Sequence, residues 1–204
     1  MKLYFARHGE SEANVLRVVS NRGFQHPLTA RGRDQAQALA EALERVTLTH
    51  LYSSPLQRAV ETAEILAAAQ GLSFEINDAL REYDCGVLEG RSDDTAWAQH
   101  RQIWQDWLLH QRYDSRAEGG ESFEDIRARF VPFIEGLIAA HGGTSAQIGL
   151  IAHGGVYRTM LPLVLDNIDF AFIRDRQIPN AAYIEAETEA DRLVCRSWCG
   201  ESVD

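Results

Sequence analysis

The stretch that decides the fold is Leu3–Asn14, which reads LYFARHGESEAN. Its apolar run over Leu3–Ala6 is typical of a strand buried on both faces. The run stops at Arg7-His8-Gly9, so an imidazole lies between a guanidinium and a glycine where the strand leaves its sheet. A neutral histidine in this place can attack a phosphoryl group whose charge an arginine holds. This chemistry requires from the rest of the chain a second arginine, a second histidine and a proton donor.

Strands alternate with helices along the chain, which predicts an α/β fold. Further apolar runs predict strands over 50–52, 148–152, 182–187 and 192–197, with a short strand over 72–76. Helical periodicity predicts helices from about 30, over 95–113 and from 122, and a helix after Ser53-Ser54-Pro55 with Ser54 as its cap. We expect a three-layer α/β/α sandwich with a mostly parallel central sheet, built as one domain over residues 1–204.

The composition excludes several classes of partner. The chain has 204 residues, a net charge of −10 and a pI of about 5.2, and it contains no basic stripe. We therefore expect neither nucleic acid nor a membrane as a partner, and an anionic substrate requires a local positive pocket. Four apolar residues before Arg7 are too few for a signal peptide, so we expect a cytoplasmic protein. The three cysteines show no zinc-binding spacing, so we expect reduced thiols and no metal site.

Two histidines are predicted to meet at one edge of the sheet. In open α/β sheets, ligands bind outside the carboxyl ends of the strands. His8 follows the first strand, and His153 follows a later one in a His-Gly-Gly sequence. Arg58 lies about one turn into the helix after the second strand, where the helix N-terminus also favours an anion. Its planar fork matches two phosphate oxygens and keeps its charge.

The proton donor is harder to choose. Glu82 is the first candidate, and four other carboxylates compete with it: Glu10, Glu12, Glu89 and Glu121. The residue types alone do not decide among these five. Two histidines and several acids also suit a metal site, but neither HExxH nor HxH spacing is present.

Taken together, these segments resemble the histidine phosphatase superfamily, also called the phosphoglycerate mutase-like family. The matching motifs run from residue 3 to about residue 160 in the family's order. They are Arg7-His8-Gly9-Glu10-Ser11 with Asn14, Pro27-Leu28-Thr29 with Gly32 and Gln35, Ser53-Ser54-Pro55 with Arg58 and Thr62, Arg81-Glu82 with Gly86 and Glu89-Gly90, Gly120-Glu121-Ser122, and His153-Gly154-Gly155.

The resemblance implies a role for each site residue. His8 would be phosphorylated during turnover, and Glu82 would protonate the leaving alcohol and then activate water. Three side chains would hold the phosphoryl oxygens as charge develops on them: Arg7, Arg58 and His153. The expected substrate-binding residues are Asn14, Ser11, Arg22 and Gly154. The mechanism requires no metal and no organic cofactor.

The resemblance also separates branches of the family. Cofactor-dependent mutases carry a longer chain and a tryptophan before the signature asparagine, whereas this chain has Ala13 there and only 30 residues between Gly90 and Glu121. This favours a metal-independent phosphomonoesterase acting on a small-molecule phosphate monoester. A phosphoglycerate mutase and a non-catalytic phosphate-binding scaffold stay as alternatives, and a sugar bisphosphate stays open as substrate.

The segment over about 91–121 holds three tryptophans and lies where family members build a substrate lid, so we expect a lid-like helical insertion there. A core-packing helix explains each tryptophan equally well. A homodimer is left open.

Overall fold

The structure is a computed structural model that describes residues 1–190 and 192–203. Its strands are β1 (Lys2–Arg7), β2 (His50–Ser53), β3 (Glu75–Ile76), β4 (Gln147–Ala152), β5 (Tyr183–Glu189), β6 (Arg192–Trp198) and β7 (Glu201–Ser202). Its α-helices are α1 (Glu12–Leu16), α2 (Ala30–Ala42), α3 (Gln57–Gln70), α4 (Asp94–Leu108), α5 (Phe123–His141), α6 (Gly154–Met160) and α7 (Phe170–Ile173). Short 3-10 turns lie over Asp78–Leu80, Gly86–Leu88 and Leu161–Leu163.

The strands form one mixed sheet in the order β3-β2-β4-β1-β5-β6-β7. The predicted α/β fold is confirmed, and the sheet has two halves. The pairs β3–β2, β2–β4 and β4–β1 are parallel, whereas β1–β5, β5–β6 and β6–β7 are antiparallel. Only two residues separate β5 from β6, and so short a connection can join only antiparallel neighbours.

Alternating side chains of the central strands pack into two separate hydrophobic cores, one on each face of the sheet. Leu3 and Phe5 of β1 lie in a core with the buried faces of α5 and α6. Tyr4 and Ala6 lie in a second core with α2 and α3. Since successive side chains of a strand point to opposite faces, the sheet is the middle layer of three. Burial on both faces explains why β1 is a continuous apolar run.

Several predicted elements differ from the observed ones. The short helix α1 lies in a stretch where no helix or strand is predicted, and the helix predicted over 95–113 ends at Leu108. The predicted cap of α3 is wrong, because Leu56 is the N-cap and no side chain caps the helix. Ser54 Oγ instead accepts from the Leu56 N–H and bonds to His153.

Two further expectations concern the cysteines and the helices. All three cysteines are free thiols. Within residues 1–190 and 192–203, no helix has both the length and the apolar character needed to cross a bilayer.

The register of the parallel half aligns three strand ends. Arg7 pairs with Ala152, and Ser53 pairs with Ile151, so β1, β4 and β2 finish at the same edge of the sheet. The next residues along the chain are His8, His153 and Ser54. The backbone alone therefore brings these three side chains to one place.

Two glycines allow the loop after β1 to touch the first turn of α2. A Cβ on Gly32 would overlap the carbonyl oxygen of Glu10, and a Cβ on Gly9 would overlap the carbonyl oxygen of Gly32. Thr29 caps α2 by accepting from the Gly32 N–H at 3.0 Å, and its hydroxyl donates to Glu10 Oε1 at 2.9 Å. This contact fixes the path of the backbone that leaves His8.

We therefore expect Gly32→Ala to lower the free energy of unfolding by about 1–3 kcal/mol, the usual cost of overpacking. Gly136→Ala is the matched control, since a Cβ there meets open space within α5. That change should stabilise the protein by about 0.5–1 kcal/mol, because alanine is a better helix former than glycine. Urea unfolding of both variants tests this, and a Gly32→Ala protein as stable as the parent would contradict the close contact.

Candidate active site

A cavity of about 560 Å³ opens at the carboxyl edge of the parallel strands. Its lining combines the ends of β1 and β4, the start of α3, and side chains of α4 and α6. Its charged residues are five arginines and a single carboxylate: Arg7, Arg58, Arg101, Arg158, Arg174 and Glu82. Because the net charge of the protein is −10, an anionic ligand requires a local positive pocket, and this cavity is such a pocket.

His8 is a buried, neutral imidazole at the floor of the cavity. Its Nδ1 lies 2.6 Å from the Gly9 carbonyl oxygen, and its Nε2 accepts from Arg58 Nε at 3.1 Å. Because a carbonyl oxygen can only accept, the ring carries its proton on Nδ1, and its lone pair lies on Nε2, where it accepts the Arg58 hydrogen bond. Burial, then the positive charges of Arg58 and Arg7, hold the pKa of His8 well below 6.5. The side chain is therefore uncharged at neutral pH.

Two arginines flank this imidazole, and neither forms an ion pair with a described carboxylate. Arg58 Nη1 donates to the Ser20 carbonyl at 2.7 Å, and Nη2 donates to Asn21 Oδ1 at 3.3 Å. Arg7 Nη1 donates to the Ile178 carbonyl at 2.6 Å, and its buried Nε has no partner among the described residues. Burial lowers the pKa of Arg58 to about 10, so it stays charged at pH 7. Both guanidiniums keep their charge for a ligand.

His153 joins His8 as predicted from their strand ends, with ring centroids 5.0 Å apart. Its Nε2 lies 2.7 Å from Ser54 Oγ, and its buried Nδ1 has no partner in the described part of the chain. Burial, followed by the charge of Arg58, holds the pKa of His153 well below 6.5. The second imidazole is therefore also neutral and offers a ring edge to a bound group.

The structure distinguishes Glu82 from its four competitors. Only Glu82 among the five lines the cavity. Its carboxylate accepts from the Tyr83 N–H at 3.1 Å and from the Gly155 N–H at 2.9 Å. Burial raises the pKa of Glu82, which favours the protonated form that a general acid needs. A Cβ on Gly155 would lie 2.6 Å from this carboxylate, so glycine is required beside it.

The competing carboxylates are engaged elsewhere. Glu121 pairs with Arg81 and Arg129, and Glu89 accepts from the Asn21 and Cys85 N–H groups. These bonds hold both carboxylates outside the cavity lining, although the charge of Glu89 still acts to raise the pKa of Arg58.

The predicted substrate-binding residues fall into two groups. Asn14 and Gly154 line the cavity. Ser11 lies behind Asn14 and donates to its Oδ1 from N–H and hydroxyl at 3.0 and 3.1 Å, which leaves the Asn14 amide nitrogen available to an acceptor. Arg22 does not line the cavity, because its guanidinium is held by Asp84 at 2.8 Å and by the Gly119 carbonyl at 2.9 Å.

Sequence reasoning did not assign the roles of several residues that build the site. Thr62 accepts from the Gly9 N–H at 3.2 Å, and Asn180 donates to the His8 carbonyl at 3.1 Å. Ser54 was placed in a motif but assigned to a helix cap. The outer cavity arginines Arg101, Arg158 and Arg174 carry no local sequence signal, since an isolated arginine is most often a surface residue. The described residues contain no group of three or more His, Cys, Asp or Glu side chains placed to hold a metal.

Comparison with known proteins gives the site a context. A sequence model described as the histidine phosphatase superfamily (branch 1) matches residues 3–200. A protein of Salmonella choleraesuis (strain SC-B67) named "Probable phosphoglycerate mutase GpmB" is 33% identical over 202 residues, which cover 99% of this chain and 92% of that protein.

Two solved structures are similar over almost the whole chain. The structure of a mycobacterial glucosyl-3-phosphoglycerate phosphatase with VO3 has a TM-score of 0.83 at 26% identity, and the match covers 98% of this chain and 99% of that one. The α-ribazole phosphatase from Shigella flexneri has a TM-score of 0.80 at 23% identity, with 100% of both chains covered, and shows a shared fold.

The buried imidazoles predict how stability depends on pH. A histidine whose folded pKa is lowered takes up its proton more readily in the unfolded chain, so stability is lost as the pH falls below about 6.5. His100 lines the cavity, and burial lowers its pKa to about 4. Between pH 7 and pH 5.5, we expect His100 alone to lower the free energy of unfolding by about 1 kcal/mol.

Urea unfolding of the parent and of His100→Gln at both pH values tests this contribution. Glutamine retains an acceptor for the Tyr83 hydroxyl, which lies 2.9 Å from His100 Nε2. The variant should lose about 1 kcal/mol less than the parent on acidification. An equal loss in both proteins would show that His100 titrates normally in the folded state.

Proposed function

The chain belongs to the histidine phosphatase superfamily, and from this premise we propose that it is a phosphomonoesterase that works through a phosphohistidine on His8. The observation that carries the proposal is the neutral His8 imidazole, with its Nε2 lone pair at the cavity floor beside two charged arginines. The proposed substrates are small phosphate monoesters, and the proposed mechanism uses no metal.

In the first step, His8 Nε2 attacks phosphorus and the P–O bond to the alcohol breaks. Arg58 releases its hydrogen bond to Nε2 and, with Arg7 and His153, holds the phosphoryl oxygens as their charge redistributes. The Nδ1–H bond to the Gly9 carbonyl steadies the ring as Nε2 becomes bonded to phosphorus. The protonated carboxyl group of Glu82 gives its proton to the leaving oxygen.

In the second step, the same carboxylate accepts a proton from water as the water oxygen attacks phosphorus. The P–N bond to His8 breaks, and inorganic phosphate leaves. Glu82 ends the cycle protonated, and His8 ends it neutral, so the site returns to its starting state. The raised pKa of Glu82 suits a group that must change protonation twice in each cycle.

Phosphoglycerate mutase is the second candidate, because the similar Salmonella protein carries that name. Two features of this chain favour a phosphatase. Ala13 replaces the tryptophan expected in cofactor-dependent mutases, and the segment between Gly90 and Glu121 is short. The structural similarity to the mycobacterial glucosyl-3-phosphoglycerate phosphatase also supports hydrolysis over transfer back to substrate.

The deciding experiment measures phosphate release from a panel of monoesters in the presence of a chelator. We expect release to continue after exhaustive chelation, and rapid quenching should trap acid-labile, alkali-stable phosphate on the parent protein but not on His8→Ala. Phosphate trapped on His153 instead would mean that His153 is the nucleophile and His8 the electrostatic partner. Activity that is lost on chelation and restored by a divalent metal would overturn the phosphohistidine mechanism.

The same preparation separates the alternatives. With 3-phosphoglycerate, with or without 2,3-bisphosphoglycerate, a phosphatase forms no useful amount of 2-phosphoglycerate, and efficient interconversion would establish a mutase instead. A non-catalytic scaffold would bind phosphate but release none from any ester.

Glu82→Gln tests the proton donor. An alkoxide needs a proton as the P–O bond breaks, whereas nitrophenolate leaves well without one. General acid catalysis typically contributes about 10²–10⁴-fold, so kcat/KM for an alkyl phosphate should fall steeply while that for p-nitrophenyl phosphate falls much less. Turnover of both esters can slow, because the same carboxylate activates water. Equal losses of kcat/KM would indicate that Glu82 positions substrate and donates no proton.

A further inference from the structure

The five cavity arginines form two groups. The inner pair, Arg7 and Arg58, lies beside the imidazoles, and its charge lowers the pKa of both His8 and His153. The other three lie on α4, at the end of α6 and in the chain after α7, and we call them the outer arginines: Arg101, Arg158 and Arg174.

Arg158 contacts the two segments that carry the other outer arginines. The Arg158 guanidinium, at the end of α6, lies 4.3 Å from the centre of the Trp104 ring on α4. Its Nη2 donates to the Ile173 and Arg174 carbonyls at 3.4 and 3.1 Å, which ties α6 to the chain after α7. Arg101 lies one turn before Trp104 on α4. A cation over an aromatic face is held in place without losing its charge.

The outer arginines have donors to spare, and the charge of Asp175 reaches Arg158 without a described ion pair between the two side chains. Arg158 Nε is buried and has no hydrogen-bond partner within the described part of the chain. Among the same residues, none of the three forms an ion pair, although most other arginines do. The chain has 30 acidic and 20 basic residues, so acidic partners are plentiful elsewhere. Like charges gathered in one cavity repel unless an anion lies between them.

We infer that the substrate carries a second anionic group, a carboxylate or a second phosphate, and that Arg101, Arg158 and Arg174 bind it. This inference rests on the proposed function and names the class of substrate. A cavity of about 560 Å³ lies within the range that holds whole metabolites, so it has room for more than a phosphoryl group. Guanidinium groups bind carboxylate and phosphate through paired hydrogen bonds.

Two matched pairs of esters test the inference. Glycerol 3-phosphate and 3-phosphoglycerate differ at the far carbon in CH₂OH against carboxylate. Similarly, 3-hydroxypropyl phosphate and propane-1,3-diol bisphosphate differ in hydroxyl against phosphate. We expect kcat/KM for the charged member of at least one pair to be about 10-fold or more above that of its partner, since a hydrogen bond to a charged group is worth about that factor or more. The preferred pair identifies carboxylate or phosphate as the second anion.

Arg101→Gln and Arg158→Gln should reduce kcat/KM for the charged ester by about 10–100-fold and leave the uncharged ester nearly unchanged. The matched control is Arg176→Gln, which removes the same charge from a side chain that stacks on Phe172 and does not line the cavity. Retained activity on the uncharged ester shows that each variant is folded. Equal rates within both pairs, or equal losses on charged and uncharged esters, would overturn the inference.

Binding to His8→Ala separates this inference from the proposed function. Calorimetry should give a dissociation constant for 3-phosphoglycerate or the bisphosphate about 10-fold below that of its matched uncharged ester. If the parent hydrolyses none of the four esters and this preference is still present, the proposed function fails and the outer anion site stands. Hydrolysis without any preference in binding or rate overturns the anion site alone.

Discussion

The site depends on one constraint, which is that the guanidiniums of Arg7 and Arg58 are buried beside neutral imidazoles, with no described carboxylate in an ion pair with either. Removing an unpaired charge from water costs several kcal/mol. The protein meets this cost with carbonyl oxygens, since Arg58 donates to Ser20 and Arg7 donates to Ile178. Carbonyls solvate a cation without cancelling its charge. The positive potential is therefore preserved for an anionic ligand, whose binding offsets the cost and stabilises the folded state.

The parallel half of the sheet supplies the geometry that this electrostatic arrangement needs. β4 lies between β1 and β2 in the sheet. The residues that follow these three strands are therefore neighbours. Catalytic groups at strand ends are held by a hydrogen-bonded ladder, which is more rigid than a loop. Glycines then let the backbone approach where a side chain would collide, at Gly9 against α2 and at Gly155 against Glu82. Small shifts at these contacts would move His8 or Glu82 directly.

The sequence predicts the backbone framework of the site better than it predicts the side-chain contacts. Periodicity located the central strands and long helices, and strand ends were enough to bring His8 and His153 together. The shared use of Ser54 was not predictable, because its bond to His153 spans 99 residues of chain and competes with a plausible local cap. Arg22 does not line the cavity because it donates to Asp84 and to the Gly119 carbonyl. Neither of these long-range contacts can be recognised from a local sequence pattern. Long-range side-chain pairing is decided by packing, which no short pattern encodes.

The division also separates chemistry from specificity. The inner arginines, the two imidazoles and Glu82 are held by the sheet and by the first turns that leave it, whereas the outer arginines belong to α4, the end of α6 and the chain after α7. Under the two proposals, changes in those outer segments would alter the second group that is bound without moving the residues proposed to hold the phosphoryl group. The net charge of −10 opposes an anion at long range, but ionic screening over about 8 Å at physiological salt weakens that repulsion. The cavity lining itself carries five arginines and one acidic side chain, and this local excess of positive charge favours an anion.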